Sequence, residues 1–255
     1  MSNIPNKAET SDKATRTEKQ IDPLTQWLLQ IEQGQKQLSV LVDPDKCTVE
    51  MVAPLLLHFP AETTHIFVGG STVAPGKTGE LIRVLKNQSQ LPVWIFPGDA
   101  EQISAQADAL LFLSLVSGDN PEYLIGQQAR ATAMLRTIDL PTIATAYLLI
   151  DGGTQSAVAR VTQTEPLNIN APDVIINRAV AAYYMGAKAV YLEAGSGAQN
   201  PVPVEIIQSV KDATSLPLIV GGGLRQRDQI QAAWSAGADM VVVGTAIEEV
   251  LSLKA

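Results

Sequence analysis

Eight short apolar stretches, each closed by turn residues and alternating with amphipathic segments, predict an α/β fold, a (β/α)8 TIM barrel. Three observations carry this reading. The stretches run almost continuously apolar, as strands covered on both faces do. The segments between them place apolar residues at helical spacing. The chain has 255 residues, a usual size for one barrel, and is 46% hydrophobic, enough for a large core.

Residues 1–20 are polar, mixed in charge and free of aromatics, so they read as a disordered tail. Residues 21–255 then form a single barrel domain. From Asp22 to Gln35, Leu24, Trp27, Leu28 and Ile31 recur at helical spacing and Gly34 supplies a stop. This N-terminal helix is expected to close the barrel bottom.

The strand candidates are Leu38–Asp43, Thr64–Val68, Pro92–Phe96, Ala109–Leu113, Ala146–Ile150, Ala189–Glu193, Leu216–Gly221 and Met240–Val243. The helical segments are Val49–His58, Gly79–Lys86, Pro121–Arg136, Val174–Met185, Pro203–Asp212, Arg227–Ala236 and Ala246–Leu253. Two places break the rhythm. Between Phe96 and Ala109 there is room for only a short helix or loop. Between Ile150 and Ala171, the alternation in Ala157-Val158-Ala159-Arg160-Val161 suggests a hairpin or an excursion over the barrel mouth.

The formal net charge is −8 and the pI about 4.8, which argues against a nucleic-acid partner. Anionic small molecules stay open, since helix N-termini bind phosphates on acidic proteins too. Cys47 is the only cysteine, so no internal disulfide forms, in keeping with a cytoplasmic location. The N-terminus lacks a signal peptide's apolar core, and no apolar run reaches the roughly 18 residues that suggest a spanning segment.

In such a barrel the loops after the strands share one face, and that face carries the chemistry. Glu193 ends an apolar strand and is followed by Ala194-Gly195-Ser196-Gly197. Poor solvation there disfavours the charged form and makes the carboxylate a usable base. Gly221-Gly222-Gly223 and Gly244-Thr245 follow the seventh and eighth strands and read as a phosphate cup, against the alternative of plain tight turns. A base beside an anion-binding turn suggests a hydroxyl substrate that also carries a phosphate.

Asp43-Pro44-Asp45 leaves the first strand, and hard oxygen ligands at a mouth suit Mg²⁺. Asp43 is the favoured ligand, Ser71 adds a hydroxyl, and Asp45 reads rather as a helix cap. Lys77 and Arg225 could reach an anion or remain solvated. His58, His65 and Cys47 read as structural.

Leu41-Val42-Asp43-Pro44-Asp45-Lys46, Phe67-Val68-Gly69-Gly70-Ser71, Tyr191 through Ala198, Val220 through Arg225 and Val243 through Ala246 together resemble the geranylgeranylglyceryl phosphate synthase family. Phe96-Pro97-Gly98, Leu111 through Leu115 and Asn120 through Gly126 add to it, so the resemblance runs from about Trp27 to the C-terminus. It implies transfer of a geranylgeranyl group from geranylgeranyl diphosphate to the C3 hydroxyl of sn-glycerol 1-phosphate, with Mg²⁺, on a (β/α)8 barrel with a short or altered third helix, with which the short span after Phe96 agrees. It further implies Glu193 as base, Asp43 and Ser71 as metal ligands, and a glycerol phosphate site. That site would comprise Tyr191, Leu192, Glu193, Ala194, Gly195, Ser196, Gly197, Gly222, Gly223, Gly244 and Thr245.

Phe96, Tyr123, Tyr147 and Leu149 are candidates for a prenyl groove, with core packing the alternative for each. Two positions depart from expectation. Asp99 stands where an uncharged residue is expected. Leu41 stands where heptaprenyl-using relatives carry Lys, which favours the geranylgeranyl branch. Barrels of this kind often form homo-oligomers. The competing readings are a phosphosugar isomerase or lyase on the same phosphate cup, and a non-catalytic phosphate binder.

Overall fold

The computed structural model describes residues 22–244 and shows a closed barrel of eight parallel strands in sequence order. They are β1 (Gln37–Val42), β2 (Thr63–Val68), β3 (Val93–Ile95), β4 (Ala109–Leu115), β5 (Thr142–Leu149), β6 (Ala189–Glu193), β7 (Leu218–Gly221) and β8 (Met240–Val243). The predicted tail, the segment Ala246–Leu253 and Thr245 lie outside the described residues.

Strand alternation sorts the apolar side chains into two cores. Val40, Ile66, Ile95, Leu110, Val190, Leu192 and Val220 point outward against the helices. Phe67, Trp94, Leu111, Ile143, Tyr147, Tyr191, Ile219 and Met240 fill the barrel interior. The same parity continues past the strand ends. Asp43 follows inward Leu41, and Glu193 follows inward Tyr191, so both carboxylates arrive at the mouth.

Helix α1 (Pro23–Glu32) starts at Asp22, whose carboxylate accepts the Thr25 N–H at 3.0 Å. It drives Trp27 into the interior core, edge-on to Trp94 with ring centroids 5.5 Å apart. The remaining helices are α2 (Val52–Leu56), α3 (Lys77–Gln88), α4 (Gln127–Leu135), α5 (Ala157–Thr162), α6 (Pro172–Tyr184), α7 (Val204–Thr214) and α8 (Arg227–Ser235).

Several boundaries differ from those read from the sequence. The fifth strand begins at Thr142 rather than Ala146, because Thr142 through Thr145 already pair with β4. The span Val49–His58 divides into a 3-10 turn and the short α2, where Pro54 interrupts a longer helix. Pro121–Arg136 opens with a π turn at Glu122–Gly126 before α4. Ala157–Val161 is no hairpin: Ser156 caps α5 by accepting the Ala159 N–H at 3.1 Å. Only a 3-10 turn at Ala100–Gln102 occupies the span between β3 and β4, as expected from its length.

Two clamps fix the barrel's other end. Asp108 accepts the Val93 N–H at 2.8 Å and pairs with Lys86 at 2.5 Å. Asp239 repeats the arrangement on Leu218, at 2.8 Å, and Lys211, at 2.6 Å. Each carboxylate ties a strand's first N–H to the lysine of the helix before it.

Candidate active site

One large cleft opens at the C-terminal ends of the strands, with about 1950 Å³ of empty space counting the part open to solvent. Asp43, Ser71, Glu193, Gly195, Ser196, Gly197, Gly222, Gly223 and Gly244 all line it, so residues from five strand ends meet in one space. Leu192 and Ala194, predicted with them, bury their side chains in the outer core instead.

Glu193 is the most buried carboxylate lining the cleft, 7% exposed. Burial raises its pKa to about 7, against a partial opposing effect of the Gly195 N–H and the Tyr191 hydroxyl. The Gly195 N–H donates to Oε1 at 2.7 Å, which fixes the carboxylate's position. The Tyr191 hydroxyl lies beside Glu193 but completes no hydrogen bond of normal geometry. Burial and the Glu193 charge push the phenols of Tyr191 and Tyr147 well up, so both remain neutral donors.

Backbone shape is what lets this corner exist. Gly222 has φ +80°, and a Cβ there would overlap Glu193 Oε1 and stand 2.7 Å from the Gly195 nitrogen. Gly223, Gly195 and Gly197 are also left-handed. The turn after β6 and the turn after β7 therefore pack backbone against backbone, with amide groups rather than side chains around the opening.

On the other side of the mouth, Asp43 Oδ1 accepts the Asp45 N–H at 2.9 Å, and Oδ2 lies 3.8 Å from Lys46 Nζ. A Cβ on Gly70 would fall 2.8 Å from Oδ1, so the turn after β2 rests directly on this carboxylate. Asp45 does not cap a helix. It pairs with Lys77 at 2.8 Å, an exposed bridge that lowers its pKa and engages the lysine proposed for an anion. Among the described residues, no three His, Cys, Asp or Glu side chains converge as a metal cluster. Asp43 lines the cleft, as Asp99 and Glu193 do, and its carboxylate is a hard oxygen donor that suits Mg²⁺ when a substrate diphosphate supplies further oxygens.

The cleft then leaves the mouth. It passes Phe96, Tyr123 and Tyr147 and continues along Ile103, Leu110, Phe112 and Ala131, between the 3-10 turn and α4. Leu110 and Phe112 are outward residues of β4, so this arm runs outside the barrel, where a full third helix would lie. Leu149, the fourth groove candidate, is packed in the interior core. The outer arm was not assigned from the sequence, and its one signal was the short span after Phe96. The excursion over the mouth expected between Ile150 and Ala171 is present, but as a helix, α5, rather than a hairpin. It edges the cleft with Val158, Arg160 and Val161, held by Tyr123 Oη on the Val161 carbonyl at 3.4 Å and by Asn120 on the Thr162 carbonyl at 2.8 Å. Its signal was Ser156 as an N-cap. No helix of the described residues is long and apolar enough to cross a membrane.

Residues 31–254 match the PcrB family. The chain is 50% identical over 216 residues to the geranylgeranylglyceryl phosphate synthase of Flavobacterium johnsoniae, covering 84% of this chain and 89% of that one. It is 41% identical to the same enzyme of Korarchaeum cryptofilum, covering 83% and 87%. In structure it resembles the (S)-3-O-geranylgeranylglyceryl phosphate synthase of Thermoplasma acidophilum crystallised with sn-glycerol-1-phosphate. There the TM-score is 0.82 and the identity 33%, over 90% of this chain and 92% of that chain.

Proposed function

The chain belongs to the PcrB family and is an enzyme of the geranylgeranylglyceryl phosphate synthase kind, and we propose how its own residues divide the work. It transfers a geranylgeranyl group to the C3 hydroxyl of sn-glycerol 1-phosphate. The observation that carries the assignment of roles is the cleft's two-part shape. A polar mouth holds one buried carboxylate among glycine turns, and an apolar arm leads away from it.

The turns at Gly195–Gly197 and Gly222–Gly223 offer backbone amides to the glycerol phosphate, together with Gly244. Anchored by its phosphate, the acceptor presents its C3 hydroxyl to Glu193, and much of the acceleration is orientation. The donor is geranylgeranyl diphosphate, its chain in the arm past Phe96, Tyr123 and Phe112. Asp43 and Ser71 are the residues that would hold Mg²⁺, which would supply charge neutralisation for the leaving diphosphate. The bond between the prenyl C1 and the diphosphate oxygen breaks, and its electron pair leaves with the diphosphate. The glycerol O3 lone pair forms the new C–O bond, and the O3 proton passes to the Glu193 carboxylate.

The test is a product assay by mass spectrometry with donors of several chain lengths and with both glycerol phosphate enantiomers. The expected product is the C20 ether of sn-glycerol 1-phosphate, formed only with Mg²⁺. Turnover of a phosphosugar without any prenyl donor would overturn the reading. An isomerase would use the same cup, with Asp43 as a second acid, but it leaves the apolar arm without a purpose.

A further inference from the structure

We propose that the Phe96 ring is the surface against which the allylic cation develops, stabilising it through its π face; this rests on the prenyl-transfer reading above. Three observations place the ring between the two ends of the reaction. First, Phe96 directly follows β3 and keeps its inward parity, so its ring turns into the mouth and remains half-buried there. Second, its backbone abuts the leaving-group end. A Cβ on Gly69 would overlap the Phe96 carbonyl, and Gly70, the next residue, rests on Asp43. Third, its ring reaches the base end. It stacks on Tyr191 with centroids 4.9 Å apart and planes at 6°, and the Tyr191 hydroxyl lies beside Glu193.

The surroundings suit a cation. Tyr147 lies 5.9 Å from Phe96 and 5.4 Å from Tyr191, and Phe67 lies 6.3 Å from Phe96. Aromatic faces attract a cation through their quadrupole. They also exclude water, which would capture it. A carboxylate or hydroxyl in that position would itself be alkylated, whereas a phenyl ring carries no lone pair. Phe96 thus connects through Gly69 and Gly70 to Asp43, and through Tyr191 to Glu193. The broken bond sends its electrons to diphosphate, the new bond takes them from O3, and the ring's role is contact alone.

The experiment replaces Phe96 in the full chain with phenylalanines carrying one, two and three ring fluorines, which keep the shape while weakening the π face. Two quantities are read: kcat/KM for prenyl transfer, and Kd for an unreactive thiolodiphosphate analogue of the donor. The expected result is a stepwise fall in kcat/KM, reaching roughly 30-fold for three fluorines, as the loss of a desolvated cation–π contact implies. Analogue Kd should stay within about twofold. A flat series would overturn the proposal, since a merely apolar wall tolerates fluorine. So would a fall in kcat/KM matched by the rise in Kd, which marks lost packing. Absence of transfer by the native chain would sink the functional reading first, and this proposal with it.

Discussion

Replacing Glu193 with Gln should make the protein more stable and nearly inactive, with the stability gain growing as pH rises from about 4.5 to about 7. The carboxylate has a pKa of about 7 in the fold, against the ordinary 4.5, because burial disfavours its charged form. At 1.36 kcal/mol per tenfold, that difference is about 3 kcal/mol of penalty on the charged state. The sign follows from proton uptake. Between pH 4.5 and 7 the folded protein binds more protons than the unfolded chain, so stability falls as pH rises through that window. Glutamine is neutral throughout, and its amide oxygen can still accept the Gly195 N–H that Oε1 accepts at 2.7 Å. The variant should therefore match the native protein near pH 4 and exceed it near pH 8. With roughly 2–4 °C of Tm per kcal/mol in a chain of this size, a gain of about 5 °C or more is expected at pH 8. Turnover should fall about 10²- to 10⁴-fold with the base removed. The assays are calorimetric melts at the two pH values and Mg²⁺-dependent product formation. Equal Tm differences at both pH values, or a variant less stable at pH 8, would refute the burial argument. Full activity would refute the base. In the native enzyme, kcat/KM should rise with pH through about 7 as the carboxylate loses its proton.

The remaining expectations concern the groups around that carboxylate and the far end of the barrel. Gly222→Ala forces a side chain onto φ +80° and into the Glu193 carboxylate. It should cost about 1–3 kcal/mol in denaturant melts and at least tenfold in kcat. Asp43→Asn should leave the melt unchanged but shift the Mg²⁺ activation midpoint upward by about tenfold or more, since one ligand charge is lost; an unchanged titration would remove Asp43 from the metal's shell. Asp239→Ala leaves Lys211 and the Leu218 N–H without their shared acceptor. It should cost about 3–5 kcal/mol of stability in denaturant melts, while kcat at permissive temperature stays native, because the clamp lies away from the mouth.

What could be read in the sequence divides along a physical line. Asp43 and Glu193 were legible because each closes an apolar strand, and strand parity alone decides that both turn inward. The glycine turns were legible because few other residues tolerate the left-handed backbone at Gly195, Gly222 and Gly223. Ala157–Val161 was misleading, since small residues alternating with valine fit a strand period and a helical one equally; the Ser156 cap decides between them. The bridge from Asp45 to Lys77 spans a loop whose path depends on tertiary packing, so local signals pointed to a cap instead.

The apolar arm of the cleft was illegible for a deeper reason. Ile103, Leu110, Phe112 and Ala131 are the residues that would pack a helix onto the sheet if one were there. An apolar side chain in sequence looks the same whether it meets another side chain or an open groove. What makes a groove is the absence of a partner, and that absence lies in the brevity of the Phe96–Ala109 span, which leaves only the turn Ala100–Gln102. With the donor placed as proposed, its chain length would be set by what ends the arm beside α4, not by the charged mouth. Adding bulk at Ala131 should thus shorten the longest donor accepted, with Glu193 and its glycine turns untouched.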